Sequence, residues 1–263
     1  MNKILEINEE RLILKAHSDS VAAIAFTPDG KTVISGSRDN TIKAWDLKTG
    51  EVKLTFEGHN DWVNAIAVTP DGKTVISGSD DKTIKIWNLE TGEVKFTLTG
   101  HSRWVNAIAI APDGKTLISG SNDRTIKTWN LETSEVESTL TGHSDYVNAI
   151  AVTPDGQTVI SGSDDNTIKI WNLETGRKKF TFKGHSDWVN AIAIAPDGKT
   201  LISGSDDNTV KIWDLTTRNK IAIFTGESPI LAVASDGVTI VAGESSGRLH
   251  LLRLQERVVV ALT

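Results

Sequence analysis

In the stretch Gly184-His185-Ser186-Asp187-Trp188, a histidine, a serine and an aspartate stand side by side. These are the residue types of a hydrolytic triad, in which a serine nucleophile, a histidine base and an orienting carboxylate converge beside an oxyanion site. Three consecutive residues cannot fold back on one another in that way. The stretch is also not unique: His17, His59, His101, His143 and His185 recur at intervals of 42 residues, as do the turn prolines Pro28, Pro70, Pro112, Pro154 and Pro196. A hydrolase carries one such constellation, whereas a folding requirement applies to every repeat. A zinc site would need histidines converging on one ion, yet these belong to five different repeats. Asp80-Asp81 and its equivalents lack the spacing of a calcium loop, and turn chemistry accounts for them better.

The composition narrows the function further. The chain has 263 residues, 38% hydrophobic and 24% charged, enough to bury a sizeable core. With no cysteine it forms neither disulfides nor thiolate metal sites. The opening MNKILEINEERLILK lacks the apolar core of a signal peptide, and no run reaches the roughly 20 apolar residues of a membrane span. A cytoplasmic location is expected. A net charge of -6 disfavours wrapping around phosphates, so neither nucleic acid nor membrane is an expected partner.

Each 42-residue unit divides into four short apolar segments. From Gly58 to Thr99 these are Trp62–Thr69 (a), Lys73–Gly78 (b), Thr83–Leu89 (c) and a half-buried edge strand (d) in which Val94, Phe96 and Leu98 alternate with Lys95, Thr97 and Thr99. Pro70-Asp71-Gly72, Ser79–Lys82 and Thr91-Gly92 supply the turns. Four antiparallel strands per unit predict an all-β fold, a single β-propeller whose blades pack face to face around an axis. The small Ala65 and Ala67 suit the strand nearest that axis.

The markers Gly58-His59, Ser77-Gly78-Ser79, Asp81 and Trp87-Asn88, with Trp45-Asp46 and Trp213-Asp214, resemble the WD-repeat β-propellers, and in particular the highly similar repeats of bacterial, cyanobacterial-type members. The resemblance covers almost the whole chain. It implies a structural hydrogen-bond network joining the d–a loop histidine, a strand b serine, the b–c turn aspartate and the strand c tryptophan. Carried over, the sets are His17, Ser35, Asp39 and Trp45; His59, Ser77, Asp81 and Trp87; His101, Ser119, Asp123 and Trp129; His143, Ser161, Asp165 and Trp171; and His185, Ser203, Asp207 and Trp213. Which serine of each Ser-Gly-Ser takes part stays open.

Six repeats are expected, at about 16–57, 58–99, 100–141, 142–183, 184–225 and 226–263. Blade six lacks the network: Gly226-Glu227, Ala242, Ser246 and Leu252-Arg253 stand at its positions. Residues 9–15 align with the strand d segment Glu51–Glu57, so they are expected to close the ring as strand d of the last blade, in preference to 256–263.

Function is expected where the repeats differ. The third residue after each histidine is Ser20, Trp62, Trp104, Tyr146 and Trp188, an aromatic crescent on the face that family topology gives to the d–a and b–c loops. Arg38, Lys82, Arg103 and Arg124 make blades one to three basic there, whereas Asp145, Asp164, Asp187 and Asp206 make blades four and five acidic. A non-enzymatic scaffold or sensor follows, without cofactor or metal, binding a protein or peptide partner as a monomer or as part of a larger assembly. The alternative is a small-ligand or carbohydrate-binding propeller, with sugars stacked on the same aromatics and hydrogen-bonded by Asn64, Asn106, Asn148 and Asn190.

Overall fold

A computed structural model describes residues 17–253, and both candidates for the closing strand, 9–15 and 256–263, lie outside the described residues. The described residues form strands and turns only, in six antiparallel sheets that follow one another along the chain. They are arranged as a six-bladed β-propeller. Five sheets have four strands; the last shows three among the described residues, Ile230–Ser235, Thr239–Glu244 and Leu249–Arg253.

Blade two sets the pattern, with strands a (Val63–Val68), b (Thr74–Ser79), c (Ile84–Asn88) and d (Val94–Leu98). β-Branched residues favour these segments, and the a–b connection is fixed by its own polar atoms. Thr69 Oγ1 donates to Asp71 Oδ1 at 2.6 Å, the Gly72 N–H bonds the Thr69 carbonyl at 2.8 Å, and Gly72 sits at φ +69°, a conformation that costs glycine little. Strand d is more exposed than its alternation predicts: Val94 and Phe96 face solvent and only Leu98 is buried. It is the outer edge of the blade, where no neighbouring sheet covers its faces.

A bulge between Val63 and Ala65 leaves Asn64 out of the a–b register. Its Nδ2 donates to Asp80 Oδ1 and to the Val105 carbonyl of the next blade. Asn106, Asn148 and Asn190 repeat this with Asn122, Asp164 and Asp206 and with the carbonyls of Val147, Val189 and Ile230. These amides tie blade to blade, and the donors that the carbohydrate reading needs are already used.

The hydrophobic cores lie between blades. One joins Ile34, Ile42, Ala44 and Phe56 of blade one to Val63, Val75 and Trp87 of blade two, and four more follow in the same way to blade six. Their tightest point is a glycine in strand b. A Cβ on Gly36, Gly78, Gly120, Gly162 or Gly204 would lie 2.6–2.7 Å from Val63, Val105, Val147, Val189 or Ile230 of the following blade. At the sixth position the pattern stops. Among the described residues the nearest atom to a Cβ on Gly243 is Ala232 of its own blade at 3.9 Å, and Val21, the equivalent of Val63, is 48% exposed beside Ile24 at 64% and Phe26 at 60%. Among the described residues, no core joins blade six to blade one.

Candidate functional site

The histidine units have a triad's connectivity. In blade three His101 Nδ1 lies 2.8 Å from Asp123 Oδ2, Nε2 lies 2.7 Å from Ser119 Oγ, and Trp129 Nε1–H donates to the same Oγ at 2.8 Å. His17, His59, His143 and His185 make the same contacts with Asp39 and Ser35, Asp81 and Ser77, Asp165 and Ser161, and Asp207 and Ser203. The tryptophans Trp45, Trp87, Trp171 and Trp213 complete them. The first serine of each Ser-Gly-Ser is therefore the member; the second, such as Ser121, bonds the Arg103 carbonyl and the Asp123 N–H instead.

The indole fixes the protons. Because Ser119 Oγ accepts from Trp129, it donates its own hydrogen to His101 Nε2, leaving Nδ1–H to donate to Asp123. Neither ring nitrogen has a lone pair left for a metal. Ser119 is fully buried, so its hydroxyl is closed to a substrate as well as to water. The aspartates are equally committed: Asp123 also accepts from the N–H groups of Ser102 and Thr125 and from the Thr125 hydroxyl. Burial alone would raise its carboxyl, yet these bonds and His101 hold it well below the ordinary carboxylate range.

Blades four and five add a cation that the repeat pattern does not reveal. Lys169 Nζ donates to Asp165 Oδ2 at 3.0 Å and Thr167 Oγ1 at 2.6 Å, and Lys211 Nζ to Asp207 Oδ2 and Thr209 Oγ1, both at 2.7 Å. Both lysines are buried, whereas Lys85 and Lys127 at the same repeat position reach outward to Thr97 and Thr139. Lys127 and Lys169 each pair with a threonine of strand d, Thr139 and Thr181, but the turn residue three before the lysine is Lys82 or Arg124 where it reaches outward and Asn166 or Asn208 where it is buried.

Burial pushes His185 down from 6.5 to about 4, against the pull of Asp207, with Lys211 adding to the depression; burial lowers His143 likewise. Between pH 6.5 and about 4 the unfolded chain therefore binds a proton at His185 that the folded chain refuses. Stability from this residue is complete above pH 6.5 and falls as pH drops toward 4. Urea unfolding free energies at pH 7.5 and 4.5 should differ by about 2–3 kcal/mol more in wild type than in a His185→Gln variant; an equal difference in the two proteins would show that His185 is charged in the fold.

Blade six holds a different cluster, which the sequence reading missed. Glu244 stands at the position of the second serine of the other blades, with its side chain fully buried. Its Oε1 accepts from the Glu227 N–H at 2.9 Å and from His250 at 2.8 Å, and its Oε2 from Ser228 and Ser246. The Glu227 N–H and His250 bring its carboxyl down to about 2. A glutamate beside Gly243, with a histidine six residues on, was the available signal.

The variable residues gather at one end of the blades, where d–a loops meet b–c turns: the N–H groups of Asp80, Asn122, Asp164 and Asp206 bond the carbonyls of Trp62, Trp104, Tyr146 and Trp188. Trp104 is 48% and Trp188 50% exposed, but the crescent is uneven. Arg38 covers Trp62, its guanidinium 4.3 Å from the ring centre, and Tyr146 is half-buried. Arg103, Lys82 and Arg124 are exposed, the last two on turns with positive φ. Asp145, Asp164, Asp187 and Asp206 sit close enough to interact: burial, then the charges of the other three, raises the Asp164 carboxyl despite its bond from Asn148. Cations stand on blades one to three, but Asp19 on blade one and Asp61 and Asp80 on blade two accompany them, so blade three alone among these has no carboxylate at either position, while blades four and five are acidic.

The family model described as WD domain, G-beta repeat matches residues 8–46, 50–88, 92–130, 134–172 and 176–214, more than half of the chain. A Notchless protein homolog of Arabidopsis thaliana is 38% identical over 47 residues, 18% of this chain and 10% of that protein. Protein Mut11 of Chlamydomonas reinhardtii is 49% identical over 37 residues, 14% of this chain and 10% of that protein. The vegetative incompatibility protein HET-E-1 of Podospora anserina is 51% identical over 37 residues, 14% of this chain and 3% of that protein. The matched stretch thus spans at most a tenth of these relatives' length. They come from a plant, an alga and a fungus and do not bear out a bacterial affinity. Five consecutive repeat matches, laid over blades built on one buried network, place this chain in the WD-repeat family of β-propellers.

Proposed function

We propose that the chain is a non-enzymatic interaction platform that binds a protein or peptide through the face carrying the d–a and b–c loops. The observation that carries this reading is the separation of roles among the repeats. The repeated histidine, serine, aspartate and tryptophan are spent inside their own blades and the repeated asparagines between blades, while Trp104, Trp188 and Arg103 stand exposed. Exposed aromatics of this kind anchor protein interfaces, and the cations of blade three set beside the carboxylates of blades four and five fix how a partner lies on the face. The names of related proteins, including a ribosome biogenesis protein BOP1 homolog of Drosophila grimshawi, are those of proteins with various cellular roles and supply no substrate.

The test is an affinity capture from host lysate read by mass spectrometry. Wild type is compared with a Trp62→Ala, Trp104→Ala, Tyr146→Ala, Trp188→Ala variant shown to be folded. A protein retained by wild type and lost by the variant is the expected result; identical captures would move the interaction surface elsewhere.

A further inference from the structure

The interaction face carries a shallow cavity of about 350 Å³ lined by Lys82, Ser102, Arg103, Trp104, Asn122 and Tyr146. Recesses of about 490 and 240 Å³ on the opposite side are lined by equivalent residues two repeats apart, such as Thr69 and Thr153, Phe96 and Phe180, or Leu131 and Leu215. Those follow from the repeat itself. The cavity on the interaction face does not, because blade three departs from its neighbours at two of its lining positions. Where Arg103 stands, blades one, two, four and five have Asp19, Asp61, Asp145 and Asp187. Where Asn122 stands, blades two, four and five have Asp80, Asp164 and Asp206. Both changes remove a carboxylate, one of them installs a cation, and Lys82 of the preceding blade faces the same space.

Asn122 adds a donor. Asn106 Nδ2 is held by the Val147 carbonyl and so points its N–H also at Asn122 Oδ1. This leaves the Asn122 amide N–H group directed away from Asn106. The nearest carboxylate of the network, Asp123, is already filled by His101, Ser102 and Thr125.

We propose that this cavity seats the carboxylate of an acidic peptide segment on the partner protein, between Lys82 and Arg103, with Trp104 taking an adjoining apolar side chain. The inference rests on the reading of this face as the interaction surface. Exposed cations alone hold an anion weakly in water, so the indole area beside them is needed for a useful affinity. Asp145 on the neighbouring blade four and Asp187 on blade five beyond it repel an acidic segment and confine it to blade three.

The probe is a fluorescein-labelled peptide, Gly-Ser-Glu-Leu-Glu-Ser-Gly, read by anisotropy against counterparts with Gln, Lys or phosphoserine in place of both Glu. The full chain is used, and the variant Arg103→Asp, Asn122→Asp restores residue types that the other blades carry at these positions, so its fold is retained. Tighter binding of the Glu peptide than of the Gln and Lys peptides is expected, weakened about tenfold in the variant. In an Asp145→Asn, Asp187→Asn protein it should be unchanged or stronger. Equal binding of the Glu and Gln peptides, or no effect of the variant, overturns the proposal, as does a phosphoserine peptide that binds where the Glu peptide does not. In the lysate capture, a partner kept by the Arg103→Asp, Asn122→Asp protein but lost by the aromatic variant sinks this cavity and leaves the platform standing. A partner kept by both removes the face and the proposal together.

Discussion

Gly204→Val is expected to destabilise the protein by several kcal/mol, while Gly243→Val, the same change at the equivalent position one blade on, leaves the unfolding midpoint near wild type. At Gly204 a Cβ alone meets Ile230 Cγ2 at 2.6 Å and Val233 Cγ1 at 3.1 Å, inside a core with no slack. Two further methyl groups there force blades five and six apart, and overpacking of a tight core costs about 1–3 kcal/mol or more. At Gly243 the only neighbour within reach among the described residues is Ala232 at 3.9 Å, and a β-branched residue suits a strand. The pair shares fold, register and backbone conformation, so its difference reports on one thing, whether another blade presses on that face. Guanidinium midpoints of both variants decide it. Equal losses would show that blade one packs on blade six in solution through Val21; a loss confined to Gly204 would leave Val21, Ile24 and Phe26 available as an apolar blade face.

Strands and turns were legible because period-2 alternation and Pro-Asp-Gly turns are local signals, and five copies let each confirm the others. The network was legible through the family resemblance, and its constancy agrees: a polar residue held in five repeats, as His59 and Ser77 are, is serving the repeat. What the sequence hid depends on neighbours distant along the chain. Trp62 looks like Trp104 and Trp188, but only Trp62 lies under an arginine, because only blade one carries Arg38 at that turn position. Asn64 looks like a free hydrogen-bonding group until the bulge that turns it toward Asp80 and Val105 is seen. Glu244 reads as a lost serine, and only the fold shows the Glu227 N–H, two serines and His250 converging on it.

His101→Ala is expected to lower stability by about 2–4 kcal/mol and to leave partner selection unchanged. Removing the imidazole takes away the bonds to Asp123 and Ser119 and leaves a void against Trp129, whose ring lies 6.0 Å away in edge contact. Asp123 keeps its bonds from Ser102 and Thr125, and Ser119 keeps Trp129, so the blade loses a bridge and not its whole network. Asp123→Asn should cost less, since an amide oxygen still accepts from Nδ1–H while one amide hydrogen is set against a backbone N–H. This ordering distinguishes a structural bridge from a catalytic dyad, in which the carboxylate and imidazole would matter to turnover and little to melting. The chemistry of the buried serine follows the same line: with its hydroxyl shared between His101 and Trp129, a serine-reactive probe should label it no faster in wild type than in the alanine variant. A His101→Ala protein that melts like wild type would leave the repeated histidine without a structural role, and the case against catalysis would then have to rest on the burial of Ser119 alone.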